Sequence, residues 1–238
     1  MFVIKKRNLI IVSVLIITAI TFFVCFGALS VKAVNEDSPS KIKIVIDAGH
    51  GGVDGGVSGV KTGVKESDLN LKVAFKLEEY FISAGFSVVM TRTSDSGLYG
   101  MATKNRKRKD MEKRRDIIKA AKPDLVVSIH MNKYSLQSRR GAQVFYKKSD
   151  ENGKLLAQNI QSSFNEMEEA VRTCSSLTGD YYILNCTEYP AVIVECGFLS
   201  NPEDEILLIT DDYQSKVAYA TFKGVIGYFS QTSFNYFN

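Results

Sequence analysis

The 238 residues contain only two histidines, and each follows an apolar run that reads as a β-strand. His50 closes Ile44-Val45-Ile46-Asp47-Ala48-Gly49-His50, and His130 closes Leu125-Val126-Val127-Ser128-Ile129-His130. Side chains at strand ends face the crevice where α/β proteins do their chemistry, and imidazole is the commonest metal ligand. Glu66 opens the next helical pattern after His50. A carboxylate there also suits the positive end of a helix. Taken with the histidines, it makes a two-His, one-carboxylate set with a fourth position left to water, the pattern of catalytic zinc. Glu195 lies at the end of another apolar run, Ile193-Val194-Glu195. A buried carboxylate needs a partner or a task. Beside an attacking water it can act as general base and then as general acid, and the alternative is a salt-bridged structural glutamate.

The loop after the first strand, Asp47-Ala48-Gly49-His50-Gly51-Gly52-Val53-Asp54-Gly55-Gly56, holds five glycines in eight residues. Such a backbone reaches positive φ and approaches a ligand closely. The GxGxxG and GKS/T spacings of phosphate-binding loops are absent, so a histidine in this loop fits a metal site better than a phosphate cradle.

The elements that must position these residues alternate. Strands are predicted over Ile42 to Asp47, Phe86 to Thr91, Leu125 to Ile129, Ala142 to Tyr146 and Ala191 to Glu195, with a short one over Tyr181 to Leu184. Helical spacing covers Glu66 to Ala84, Met111 to Ala121, Lys154 to Met167 and Tyr213 to Phe229. Gly85 and Pro123 stop the first two helices. Strands alternating with helices predict an α/β sandwich on a largely parallel sheet, in one domain and without internal repeats.

Lys5, Lys6, Arg7 and Lys32 stand in the first 33 residues with no acid, and without them Lys+Arg and Asp+Glu balance at 26 each. The basicity therefore belongs to the N-terminus and gives no reason to propose nucleic acid as a partner. A positive start, an uncharged run from Leu9 to Val31 and the stretch Val31-Lys32-Ala33 read as a targeting segment. The run is long enough to span a bilayer, so residues 1–33 are either a cleaved signal peptide or a membrane anchor. In both cases the rest is exported, and membrane contact is confined to this segment. Residues 34–40 read as a linker and 41–231 as the catalytic domain. Cys174, Cys186 and Cys196 are too few for a disulfide scaffold, although Cys174 and Cys186 could pair. The charge-dense stretch from Lys104 to Arg115 is either a solvated face or an attraction site for an anionic polymer or partner.

In these residues the chain resembles the zinc-dependent N-acetylmuramoyl-L-alanine amidases of bacterial cell walls. The resemblance is carried by Ile46 to Gly52, Glu66, Thr91-Arg92-Thr93, Ser128-Ile129-His130-Met131-Asn132 and Val194 to Asn201, and it spans about Ile42 to Phe229. It implies a single α/β domain with a mixed, mostly parallel central sheet flanked by helices, of phosphorylase/hydrolase-like type. It implies one Zn2+ per chain held by His50, Glu66 and His130, with Glu195 as the catalytic glutamate. The implied reaction is hydrolysis of the amide between N-acetylmuramic acid and L-alanine in peptidoglycan. Glu195-Cys196-Gly197-Phe198-Leu199-Ser200-Asn201-Pro202-Glu203 followed by Tyr213-Gln214 looks closest to the germination-specific, spore-cortex branch, whose products become muramic-δ-lactam.

Met131 and Lys133 stand where relatives often have small residues, and the short stretch between Asn132 and Gly141 leaves no room for the inhibitory helix of some relatives. An activating or localising partner protein stays open. Arg92 and Arg114 are candidates for holding substrate carboxylates or for structural pairing, with structure favoured. A zinc carboxypeptidase or deacetylase on a similar sheet, and a non-catalytic wall-binding protein, are the competing readings.

Overall fold

The computed structural model describes residues 41–235 together with Thr18. The expected signal or anchor over 1–33, the whole linker over 34–40 and Cys25 lie outside the described residues.

Six strands form one sheet in the order β2-β1-β3-β6-β4-β5. They are β1 (Lys43–Ala48), β2 (Ser87–Met90), β3 (Leu125–Asn132), β4 (Gln143–Tyr146), β5 (Leu177–Thr178) and β6 (Ala191–Phe198). The run β2, β1, β3, β6 is parallel throughout, β4 joins β6 antiparallel, and β5 runs parallel to β4. The sheet is thus mixed and mostly parallel, as expected. From β1 the chain crosses first to β2 on one side and later to β3 on the other. The C-terminal ends of β1 and β3 therefore flank a topological switch point, where α/β folds open a crevice.

The helices are α1 (Glu66–Ser83), α2 (Arg106–Ala121), α3 (Glu151–Asn165), α4 (Tyr182–Asn185), α5 (Pro202–Leu208) and α6 (Asp211–Asn235). α1, α3 and α6 cover one face of the sheet over a core that includes Ile44, Val73, Leu77, Val127, Ile160 and Val217. α2 and α4 cover the other face over a smaller core of Val45, Ile118, Val126, Ile183 and Ile193. Adjacent residues of one strand serve opposite cores, as the period-2 alternation of strand side chains requires.

Three elements differ from the sequence reading. Tyr181 to Leu184 is not a strand: the chain turns into α4 at Tyr182, and the β5 pairing falls earlier, at Leu177–Thr178. A short apolar run has no periodicity to separate strand from helix. α2 begins at Arg106 rather than Met111, and its first turn has no apolar residue to announce it. α5 was absent from the pattern, although Asn201-Pro202 opens it with a cap: Asn201 Oδ1 accepts from the backbone N–H groups of Glu203 and Asp204, each at 2.9 Å. Cys174, Cys186 and Cys196 are all free thiols, so Cys174 and Cys186 do not pair.

Candidate metal centre

β1, β3 and β6 stand side by side and parallel, so their C-terminal ends present His50, His130 and Glu195 to one place. His130 and Glu195 are register partners across β3 and β6. Glu66, the first residue of α1, comes in from the covering helix. The Nε2 of His50 lies 3.3 Å from Glu66 Oε1, and the Nδ1 of His130 lies 2.9 Å from the same oxygen. One ligand atom each from His50, Glu66 and His130 fall within 4.8 Å of one another. The two imidazoles meet edge to face with centroids 5.1 Å apart.

The glycine-rich loop makes room for this arrangement. A Cβ on Gly49 would run into the His130 ring, and one on Gly56, whose φ is +68°, would run into the Glu66 carboxylate. Glycine is required at both places because the histidine and the glutamate need the space. His50 itself takes φ +60°, a left-handed conformation uncommon for a residue with a side chain.

That strained loop is clamped from beneath by two arginines. Arg114, 1% exposed, donates to the carbonyls of Ala48 (2.8 Å) and His50 (2.6 Å), to Asp47 Oδ1 (2.6 Å) and to Asp110 Oδ2 (2.6 Å). Arg92 donates to the carbonyls of Ala48, Gly49, Ser67 and Ser94 at 2.8–2.9 Å. Asp47 also accepts from Thr91 and Ser128. Burial alone would raise the Asp47 carboxyl, but Arg114 and the two hydroxyls outweigh it and bring it down to about 2. Both arginines therefore hold the scaffold together and have no fork left for a substrate carboxylate.

Glu66 is 2% exposed and closely held: Oε1 also accepts from Asn70 Nδ2 (3.3 Å) and the Met131 N–H (3.2 Å), and Oε2 from the Val57 N–H (2.9 Å). Burial works against its charge, but the two imidazoles hold the carboxyl far below the usual carboxylate range. Burial would lower His50 as well, yet Glu66 and then Asp54 raise it. The Asp54 carboxylate lies 3.0 Å from His50 Nδ1, the ring nitrogen facing away from Glu66. Sequence reasoning missed Asp54 and Asn70. The i, i+4 spacing of Asn70 from Glu66 on α1 was a usable signal, and Asp54 lies four residues beyond His50 in the same loop.

Glu195 has the opposite environment. It is 8% exposed and its Oε2 has no hydrogen-bond partner among the described residues. Burial, with the nearby Glu66 charge, pushes its carboxyl up to about 7 against the pull of the imidazoles. All four residues line one cleft of about 420 Å3, which Tyr181, Tyr182, Met111 and Ile193 also line. Two imidazoles, a fixed carboxylate and a second uncompensated carboxylate in one cleft form a donor set that fits a divalent cation.

An α/β sheet with its site at the switch point, a His/Glu/His cluster that could hold a metal ion and a buried glutamate beside it has the makings of a hydrolase. Residues 44–227 match the Amidase_3 family, N-acetylmuramoyl-L-alanine amidase, and the chain belongs to it. It is 38% identical over 192 residues to the germination-specific N-acetylmuramoyl-L-alanine amidase of Bacillus subtilis, covering 79% of this chain and 80% of that one. The CwlD amidase from Clostridioides difficile, solved in complex with the GerS lipoprotein, superposes with a TM-score of 0.77 at 34% identity over 80% of this chain and 99% of that one. An N-acetylmuramoyl-L-alanine amidase from Clostridium difficile 630 does so with a TM-score of 0.72 at 28% identity over 81% and 98%. The chain is an N-acetylmuramoyl-L-alanine amidase, and the carboxypeptidase, deacetylase and wall-binding readings give way to it.

Proposed function

We propose that this chain is an exported, zinc-dependent amidase that strips stem peptides from muramic acid in the spore cortex, the step that precedes muramic-δ-lactam and germination. The observation that carries the chemistry is the convergence of His50, Glu66 and His130 within 4.8 Å beside an uncompensated Glu195. The cortex role is supported by the likeness to the germination-specific amidase of Bacillus subtilis. The related CwlD is found with a lipoprotein, which supports an activating or localising partner for this chain too.

His50, Glu66 and His130 would hold one zinc ion per chain. When bound there, zinc supplies Lewis acidity to the amide carbonyl and to the attacking water. Glu195 is the general base. Its raised pKa places it where a carboxylate accepts a proton readily near neutral pH. It takes a proton from the water as the new C–O bond forms at the lactyl carbonyl. It then delivers that proton to the alanine nitrogen as the C–N bond breaks. The products are a free lactyl carboxylic acid and a peptide with a new alanine N-terminus. Arg92 and Arg114 contribute by holding the His50 loop in its left-handed turn.

The test is elemental analysis and product analysis on the exported part of the chain with purified peptidoglycan. About one zinc per chain with alanine N-termini released is the expected result, and His50→Ala or His130→Ala should lose the metal. Stoichiometric zinc in either variant would overturn the ligand set. Release of acetate or of C-terminal residues would overturn the reaction.

A further inference from the structure

Three cations line the cleft around Glu195: Lys107 and Arg114 from α2, and Lys133 immediately after β3. Arg114 is consumed by Asp47, Asp110 and two backbone carbonyls. The lysines are free of such duties. Both are exposed, and among the described residues neither ammonium makes an ion pair or a hydrogen bond. Lys107 feels Asp54 electrostatically without reaching it.

Their placement is against local preference. Lys107 sits in the first turn of a 16-residue helix that opens Arg106-Lys107-Arg108-Lys109 with no acid in that turn. Cations at the positive end of a helix are unfavourable, and Arg108 alone of the four finds a carboxylate, on Glu112. Lys133 enters the cleft from another element, directly beyond the strand that carries His130. Two unpaired ammonium groups thus line the same cleft as the His50, Glu66 and His130 cluster and Glu195.

The leaving peptide of this amidase is itself anionic. The residue after its alanine is a glutamate linked through its side chain, so its α-carboxyl group branches free unless amidated. An extended chain advances about 3.5 Å per residue. That first carboxylate therefore falls within one or two residues of the scissile bond. We infer that Lys107 and Lys133 are specificity-determining residues that receive this α-carboxylate and favour stem peptides in which it is not amidated. The inference rests on the amidase reading of the cleft. It assigns carboxylate recognition to these two lysines in place of the arginines, which are spent in the scaffold.

The experiment compares two soluble muramoyl tripeptides, identical except that the glutamate α-carboxyl is free in one and amidated in the other. Binding to the zinc-loaded Glu195→Gln protein is measured by calorimetry, so the result does not depend on turnover. The free acid should bind on the order of tenfold tighter at low ionic strength, and the advantage should shrink with added salt. In the same protein carrying Lys107→Gln and Lys133→Gln the two ligands should bind alike. Equal affinities in the parent, or a preference that survives removal of both lysines, would overturn the inference. A purely structural role for the lysines would weaken both ligands equally and would overturn it too. Turnover of either tripeptide by the wild-type enzyme reads the amidase assignment separately.

Discussion

Asp47 on β1 and Glu195 on β6 are buried carboxylates on the two strands that flank β3. Asp47 has a guanidinium and two hydroxyls on its oxygens, and its carboxyl is brought down to about 2. Glu195 has an oxygen with no partner among the described residues, and its carboxyl is pushed up to about 7. The same contrast separates the two regions to which they belong. Under the His50 loop, Arg114 pairs with both Asp47 and Asp110, and Arg92 spends its N–H groups on backbone carbonyls. Above it, the cleft gathers carboxylates and imidazoles and leaves Glu195 Oε2 without a hydrogen-bond partner among the described residues. Burial costs both regions; only the lower one offsets that cost from within. On the proposed function, the upper one is completed by a cation and a substrate, and the bare Glu195 carboxylate serves as the base.

The largest effect expected from breaking this contrast is on turnover. Glu195→Ala should lower kcat on the order of 10³-fold, the scale of general acid–base catalysis, while zinc measured by elemental analysis stays near one per chain. Retained turnover would show that the uncompensated carboxylate is not the base. On the lower side, Arg114→Ala leaves Asp47 and Asp110 without the guanidinium that pairs with both. A loss of about 3–5 kcal/mol in denaturant unfolding is expected, the scale for an orphaned buried charge. A loss under 1 kcal/mol would mean that the network is not what holds the loop.

A third measurement isolates the burden that Glu195 carries. Its folded pKa of about 7 lies above the ordinary 4.5, so between those values the metal-free folded protein binds more protons than the unfolded chain. Stability contributed by the protonated group is present below 4.5 and lost as pH rises through 7. Glu195→Gln should therefore stabilise the metal-free protein by about 3 kcal/mol at pH 8 and by almost nothing at pH 4. A pH-independent difference would remove the burial argument. The smallest effect is expected at Asp54. Asp54→Asn should weaken zinc about tenfold in a chelator competition, as loss of an orienting carboxylate behind a ligand histidine does. Unchanged affinity would leave Asp54 a loop residue only.

Parts of this were legible beforehand because they are local. An apolar run followed by a histidine already places that histidine at a strand end, and the glycines around His50 announce a crowded backbone. The i, i+4 relation of Asn70 to Glu66 was equally readable and went unused. Arg114 was not legible in the same way. Its type allowed either a substrate clamp or a structural tie, and the choice turned on Asp47, which is 67 residues away in the chain. The short strand expected over Tyr181 to Leu184 failed for a related reason: whether those residues coil or pair depends on what α2 and β6 leave for them to cover.

Residue types and short-range spacing were enough for the alternating strands and helices, the strand-end positions of His50, His130 and Glu195, and the family to which those motifs belong. Each follows from side-chain type and short-range spacing, which act before the chain has folded. Which carboxylate is satisfied and which left bare, and which cations are spent inside the scaffold and which left facing the cleft, was settled by the assembled fold. Those outcomes depend on strand order and on partners tens of residues apart. The dielectric and the hydrogen-bond supply at each group come into being only when the sheet is assembled.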